Sequence, residues 1–421
     1  MNASLVNTVG AVLFAVAILH TFSVRFFERL AQAYPRHAGL LRLLGEVEVV
    51  FGFWSFILLI FMTVVTRDQK AAVDYLDSRS FTEPMFVFTI MVVAASKPIM
   101  QVATAIVDTV AKFIPFPHSI ATYFALLGVV PLLGSFITEP AAMTLAAFML
   151  KSLYYDKGLS RKLRYVTIGT LFVNISIGGT LTNFAAPPIL MVAHKWDWST
   201  WFMLSHLGWK SAVAVFLNAG IATLIFHKEL LALKLGEETD HQKAGIPVAM
   251  LLVHVLILFM IVRFSHDTPV FMGFFMLFMG IASAYPHYQE RLILREGLMV
   301  GFFLAGLVVL GGLQEWWLRP LLHSMDATAV YFGATVLTAV TDNAALTYLG
   351  SLVDGLSPEF KYSLVAGAVT GGGLTVIANA PNPAGMSILR GNFEDKAVNP
   401  VGLFIAAAPP TLTAILAFQV L

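Results

Sequence analysis

The chain has 421 residues, of which 58% are hydrophobic and only 12% charged, with a mean hydropathy of +0.79. A soluble domain carries about 25% charged residues, so the composition excludes one. The net charge of +1 leaves no basic surface for nucleic acid, and the lack of cysteine excludes disulfide frameworks and thiolate metal sites.

Apolar runs recur along the whole chain, each long enough to cross a hydrocarbon core of about 30 Å as a helix. They are continuous rather than alternating, which argues against a β-barrel. In chain order they fall near 5–24, 43–66, 85–111, 119–150, 163–193 and 199–227, then 246–264, 269–286, 296–313, 327–353, 361–389 and 400–421. The first run follows the uncharged "MNASLVNT". It lacks the basic region of a secretory signal and reads as a retained helix. The polar stretch "HKELLALKLGEETDHQKAG" (227–245) splits the chain almost evenly. The expected organisation is a first repeat at 1–227, a cytoplasmic linker at 228–245 and a second repeat at 246–421.

Two runs in each half do not behave as simple spans. The run 119–150 carries "GSFITEP" (134–140) in its middle, and 327–353 carries "TAVTDNA" (338–344). Each places a carboxylate, Glu139 or Asp342, where a chain entering the membrane would turn and leave on the same side. The next runs carry "IGGTLTNFAAPPILM" (177–191) and "TGGGLTVIANAPNPAGM" (370–386). Glycines followed by prolines break a helix, and lipid tolerates a break only where protein or a cavity covers it.

Loop charge tests this layout. With both turning segments as re-entrant hairpins and the N- and C-termini outside, seventeen Lys and Arg fall in cytoplasmic loops and seven in external ones. That is the bias of the positive-inside rule. Counting 119–150 as a full span would place the basic loop 151–164 outside.

The motifs repeat in order. Thr138-Glu139-Pro140 aligns with Thr341-Asp342-Asn343 at an offset of 203, and Gly178-Gly179-Thr180-Leu181-Thr182 with Gly371-Gly372-Gly373-Leu374-Thr375 at 193. Each half thus reads as three helices, a re-entrant hairpin, a broken helix and a final helix. Five full crossings per half is odd, so the halves are inverted. The fold expectation is an all-α polytopic membrane protein of two inverted-topology repeats, an arrangement typical of secondary transporters.

"TEPAA", "GGTLTN", "TDNAALTYLG" and "GGGLTVIANAPNPAG" resemble the hairpin and broken-helix motifs of the ion transporter superfamily. That group includes dicarboxylate/sodium symporters, arsenite exporters and NhaD-type sodium/proton antiporters. Over roughly residues 40–421 the chain is most similar to the Na+/H+ antiporter branch. The resemblance implies a homodimer in the bacterial inner membrane, with a scaffold part and a transport part that moves like an elevator. It implies no cofactor beyond the transported Na+ and H+.

Dicarboxylate carriers of the superfamily have a neutral Ser-Asn-Thr at each hairpin tip, and this chain departs from that pattern. Two tip carboxylates repel an anion and attract a cation. Desolvation and a neighbouring like charge favour protonation of a carboxyl, so protons and sodium would compete for Glu139 and Asp342. Sodium takes oxygen ligands. Candidates are Glu139, Asp342, Thr138, Thr341, Asn343, Thr180, Thr182, Asn183, Thr375 and Asn379, with carbonyls near Gly178, Gly179, Gly372 and Gly373. Na+ itself is expected at Glu139, Asp342 and Asn343.

Other readings stay open. The acids could be structural, neutralised by Lys97 or Lys210. Lys97 precedes Pro98 within the third run and reads equally as a counter-ion or as a snorkelling end residue. Glu46 and Glu48 read as an interfacial salt bridge, and His20, His206 and His254 as satisfied polar contacts. An anion carrier for arsenite, citrate or another carboxylate is the alternative within transport; Lys97 favours it and the two acids oppose it. An intramembrane protease is a weak reading: the serine in "GSF" has no placed histidine, and "YYD" (154–156) has no Gly-x-Gly-Asp partner. A channel would need a continuous pore rather than broken helices meeting midway.

Overall fold

The structure, a computed structural model, describes residues 3–233 and 245–421. Most of the linker expected at 228–245 lies outside the described residues; its start, His227–Ala232, is a short helix. Among the described residues the protein is helical, with no strand.

The principal helices of the first half are α1 (Ala3–Thr21), α2 (Val47–Thr66), α3 (Thr82–Ala94), α4 (Lys97–Phe113), α5 (His118–Ile137), α6 (Glu139–Leu153), α7 (Arg161–Gly178), α8 (Pro187–Ala193) and α9 (Trp209–Ile225). Those of the second are α10 (Val248–Arg263), α11 (Thr268–Ala284), α12 (Leu294–Gly311), α13 (Ala327–Thr338), α14 (Asn343–Ser351), α15 (Pro358–Gly371), α16 (Asn382–Leu389) and α17 (Pro400–Val420). Among the described residues, five helices are long and apolar enough to cross a membrane, or six if the bent pair α3–α4 counts as one span. The protein is a multi-pass membrane protein.

Helix ends carry their own caps. Ser160, Asp326, Asp342, Ser357 and Asn399 each accept a backbone N–H in the first turn of the helix that follows. Such caps satisfy donors that hydrocarbon cannot.

The third apolar run differs from its expectation as a straight span. It bends by 68° between α3 and α4. Ser96 is extended there (φ −67°, ψ 148°), and Pro98 lies in the first turn of α4, where its missing N–H costs nothing. Lys97 therefore opens a helix instead of sitting inside one.

One core joins α4 through α7 around Tyr123, Leu126, Tyr154 and Phe172. A second joins α1, α2, α3, α11 and α12 around Phe14, Leu58, Phe271 and Leu307. A third lies between α7, α8, α15 and α17. Within the first half, α5 packs on α6 and α7; within the second, α13 packs on α15. Between halves the packing is reciprocal: α8 lies on α14, and α16 lies on α6.

Candidate functional site

The first break begins where α5 turns into α6. The two helices fold back on one another: the Tyr154 hydroxyl, just beyond α6, donates to the Ser119 carbonyl at the start of α5 (2.6 Å). Thr138 makes the turn at φ 74°, ψ 149°, a strained conformation for a residue with a Cβ. Glu139 opens α6 and is fully buried. Pro131 in α5 cannot donate to the Leu127 carbonyl, and the Asn174 side chain of α7 donates to it instead (2.8 Å).

α7 ends at Gly178, and the chain resumes as α8 at Pro187. Ser135 organises the gap. It donates to the Gly178 carbonyl (2.7 Å), accepts from the Leu181 N–H (2.9 Å), and its carbonyl accepts from Thr182 (2.5 Å). The Glu139 carboxylate lies so close to Gly179 that a Cβ there would collide with Oε1.

The second break has related parts. α13 ends at Thr338, Asp342 caps α14 through the Ala344 and Ala345 N–H groups (2.8 and 3.2 Å), and Asn343 opens α14, fully buried. α15 ends at Gly371, and α16 starts at Asn382. The Asn382 amide donates to the Gly372 and Thr375 carbonyls, both at 2.8 Å, covering acceptors that the break frees. Gly372 admits Ser176 of α7 and the Asn343 amide, leaving no room for a Cβ.

The two breaks meet through Asn379. Its amide donates to Glu139 Oε2 (2.8 Å), while the preceding Ala378 carbonyl accepts from the Asn343 N–H (3.1 Å). Around this junction several buried oxygens have no protein donor: Glu139 Oε1, Thr138 Oγ1, Thr338 Oγ1, and Oδ1 of Asn343, Asn379 and Asn382. Burying so many unpaired acceptors is costly. A desolvated cation or a proton on the carboxylate offsets that cost, because each supplies what bare oxygens lack. Among the described residues no three His, Cys, Asp or Glu side chains converge as a metal cluster. The donor set is one of a carboxylate, amides and hydroxyls, oxygen ligands of the kind a hard cation takes.

The remaining expected site residues divide. Thr180 donates to the Ile177 carbonyl and to Ser211 (both 2.8 Å), Thr375 to the Ala339 carbonyl (2.8 Å), and Thr341 to the Leu337 carbonyl (2.8 Å). Their hydroxyl protons are therefore committed to shaping the breaks. Asn183 is drawn away: it donates to the Trp198 carbonyl (2.9 Å) and accepts from Thr200 (2.8 Å), tying down the turn after α8. Gly373 packs against the Val173 backbone of α7. Lys97 is not paired with Glu139 or Asp342. Its ion partner is Glu290 at 3.6 Å, because the α3–α4 bend places it at a partly exposed helix start. Lys210 donates to the Tyr362 hydroxyl (2.9 Å). His254 is held by Met250 and Gln289, and His20 by Trp54 and Leu44.

Asp342 faces a different space from Glu139. With Thr341 it lines an apolar cavity of about 320 Å³, walled by Phe14, Phe51, Phe303, Trp317 and Ile377. Glu48 stands one turn before Phe51, a wall of that cavity, on the same face of α2. Glu46, by contrast, forms the expected interfacial pair, accepting from Arg295 (2.5 and 2.8 Å). Sequence reasoning passed over Ser176 and Asn382, although Asn382 stands in the very "ANAPNPAG" run that supplied Asn379.

No curated protein matches the chain. A family model described as "Putative Na+/H+ antiporter" matches residues 5–421. Since that match takes in both breaks and every buried oxygen between them, the chain belongs to the Na+/H+ antiporter family and is a transporter rather than an enzyme.

Proposed function

We propose that the protein exchanges Na+, or Li+ or K+, for H+ by alternating access, with Glu139 at the centre of the ion site. The observation that carries this reading is the junction itself. A fully buried carboxylate, anchored by Asn379, sits among unpaired oxygens where two helix breaks meet. A proton or a cation neutralises Glu139, but the site has charge for only one at a time. If the carrier crosses only when neutralised, exchange follows. Asn343 and Asn379 supply amide oxygens, and Asp342 adds negative potential from the adjoining cavity.

In this reading 1–227 and 246–421 are repeats inverted in the membrane. Supporting it, Gly178 packs on the Pro131 carbonyl and Gly371 on the Thr335 carbonyl, an equivalent closure in each half. The reciprocal seating of α8 on α14 and α16 on α6 fits a pseudo-twofold axis. The pairs α5–α6 and α13–α14 act as re-entrant hairpins with both termini outside a bacterial inner membrane. A homodimer working as an elevator rests on resemblance. The anion-carrier alternative loses its main support, since Lys97 opens α4 at a partly exposed position and its ion partner is Glu290 rather than either tip acid.

The test is reconstitution in liposomes with an internal pH dye and an imposed sodium gradient. Sodium-driven proton movement is expected from the wild type and not from Glu139→Gln. Proton movement that survives this change, or arises with no cation, overturns the assignment.

A further inference from the structure

We propose that the groove between α7, α9 and α17 is a binding site for one acyl chain of an anionic phospholipid, with its headgroup phosphate on Arg161 and Lys162. The groove encloses about 550 Å³. One end carries Arg161 and Lys162, the walls are Ile221, Ile225, Ile405 and Pro409, and the deep end reaches Asn218 and Thr413.

Its ends are fixed relative to one another. The start of α7 lies beside the chain just past the end of α9, where Glu229 accepts from the Ser160 N–H and hydroxyl (2.6 and 2.8 Å). It also lies beside the start of α17, where the Asn399 N–H donates to the Tyr165 hydroxyl (3.1 Å). The basic end is therefore at one face of the helix bundle. From Gly402 to Thr413, at 1.5 Å per residue, the groove runs about 16 Å along α17, roughly half of a hydrocarbon core of about 30 Å. That is the depth of one leaflet, with the charges at headgroup level.

The walls favour a lipid chain. Ile225 and Ile405 are about two-thirds exposed, which suits hydrocarbon and not water. The mouth favours an anion. Arg161 has only a loose exposed contact with Glu394 (3.6 Å), and Lys162 has no ion pair among the described residues. Basic pockets between transmembrane helices on the cytoplasmic side bind anionic headgroups in this way. A zwitterionic lipid would fill the walls equally well but gain little at the mouth.

The test is native mass spectrometry of the full chain, titrated with phosphatidylglycerol or phosphatidylcholine in mild detergent. The wild type should retain phosphatidylglycerol preferentially. Arg161→Gln with Lys162→Gln should cut that preference about tenfold while leaving general lipid binding intact. Ile221→Trp, at a half-exposed wall position, should displace the retained lipid whatever its headgroup, with a melting curve as the folding control. Equal retention of both lipids by the wild type overturns the headgroup assignment. Unchanged retention in Ile221→Trp, or a dimer whose crosslinks map to the groove, overturns the site.

Discussion

Asn379 donates its side-chain amide to Glu139 Oε2 at 2.8 Å, joining residues 240 positions apart. The bond aims the carboxylate while leaving Oε1 free of protein donors. Glu139→Gln can keep this bond through its carbonyl oxygen but carries no charge. Its fold should survive and its sodium-driven proton flux should fall to background. Asn379→Ala keeps the charge and loses the aim. A hydrogen bond to a charged group is worth about 1.5–3 kcal/mol, so the half-saturating sodium concentration should rise about tenfold or more. Flux measurements on both variants, with melting curves as the control, check this.

Asp342 has two separable roles. It caps α14 and it charges the cavity beside the junction. Asn is as good a cap as Asp, whereas Ala loses about 1 kcal/mol. Asp342→Asn should therefore melt near the wild type and still exchange sodium less well. Asp342→Ala should lose stability as well as exchange. Equal melting of the two variants would remove the capping role.

Gly178 and Gly371 hold the two breaks closed. A Cβ on Gly178 would stand 2.6 Å from the Pro131 carbonyl oxygen, and one on Gly371 would collide with the Thr335 carbonyl. Neither partner is a flexible side-chain end, so the helices must separate. Alanine at either position should cost about 1–3 kcal/mol. Thermal melts should place both variants below alanine at Gly273, which has nothing within contact distance.

The breaks were legible because Gly-Gly followed by Pro has local causes. Glu139 was legible because an acid within an apolar run is rare. What escaped depended on tertiary partners. Pairing the carboxylates of the two tips set Glu139 against Asp342, yet in the structure the buried residues that open α6 and α14 are Glu139 and Asn343. A local signal existed: Asp before Asn-Ala-Ala-Leu is a helix cap. Lys97 could not be placed from sequence, since its partner Glu290 lies in a loop almost two hundred residues away. Proline at 131 frees the carbonyl at 127, a signal the sequence reading did not use, and only packing names Asn174 as its donor.

Just past α6, Asp156 joins the first half of the chain to the second. It accepts from Asn392 (2.8 Å) and from Lys151 (2.9 Å). These partners, Asn392 first, hold its carboxyl below the usual carboxylate range. A lowered folded value means stability that is present above the unfolded value, about 4, and lost as pH falls through the folded value. The stability gap between wild type and Asp156→Asn should be constant near neutrality and close below about pH 4. The group is largely exposed, so salt should narrow the gap too. Melting curves across pH and salt check both trends.

Thr138 sits at φ 74° immediately before Glu139. A side chain in such a conformation costs about 1–3 kcal/mol, and glycine would remove that cost. Glycine also raises the unfolded-state entropy, by about 0.5–1 kcal/mol. The strain term is the larger, so Thr138→Gly should raise the melting temperature modestly. The same change deletes the unpaired Oγ1 beside the carboxylate. If that oxygen is a ligand, the variant should be more stable yet need more sodium for half-maximal exchange. Stability and ion affinity would then move in opposite directions at one residue. A variant that gains stability with sodium dependence unchanged would leave Thr138 as the strained support of Glu139 and remove it from the ion's coordination.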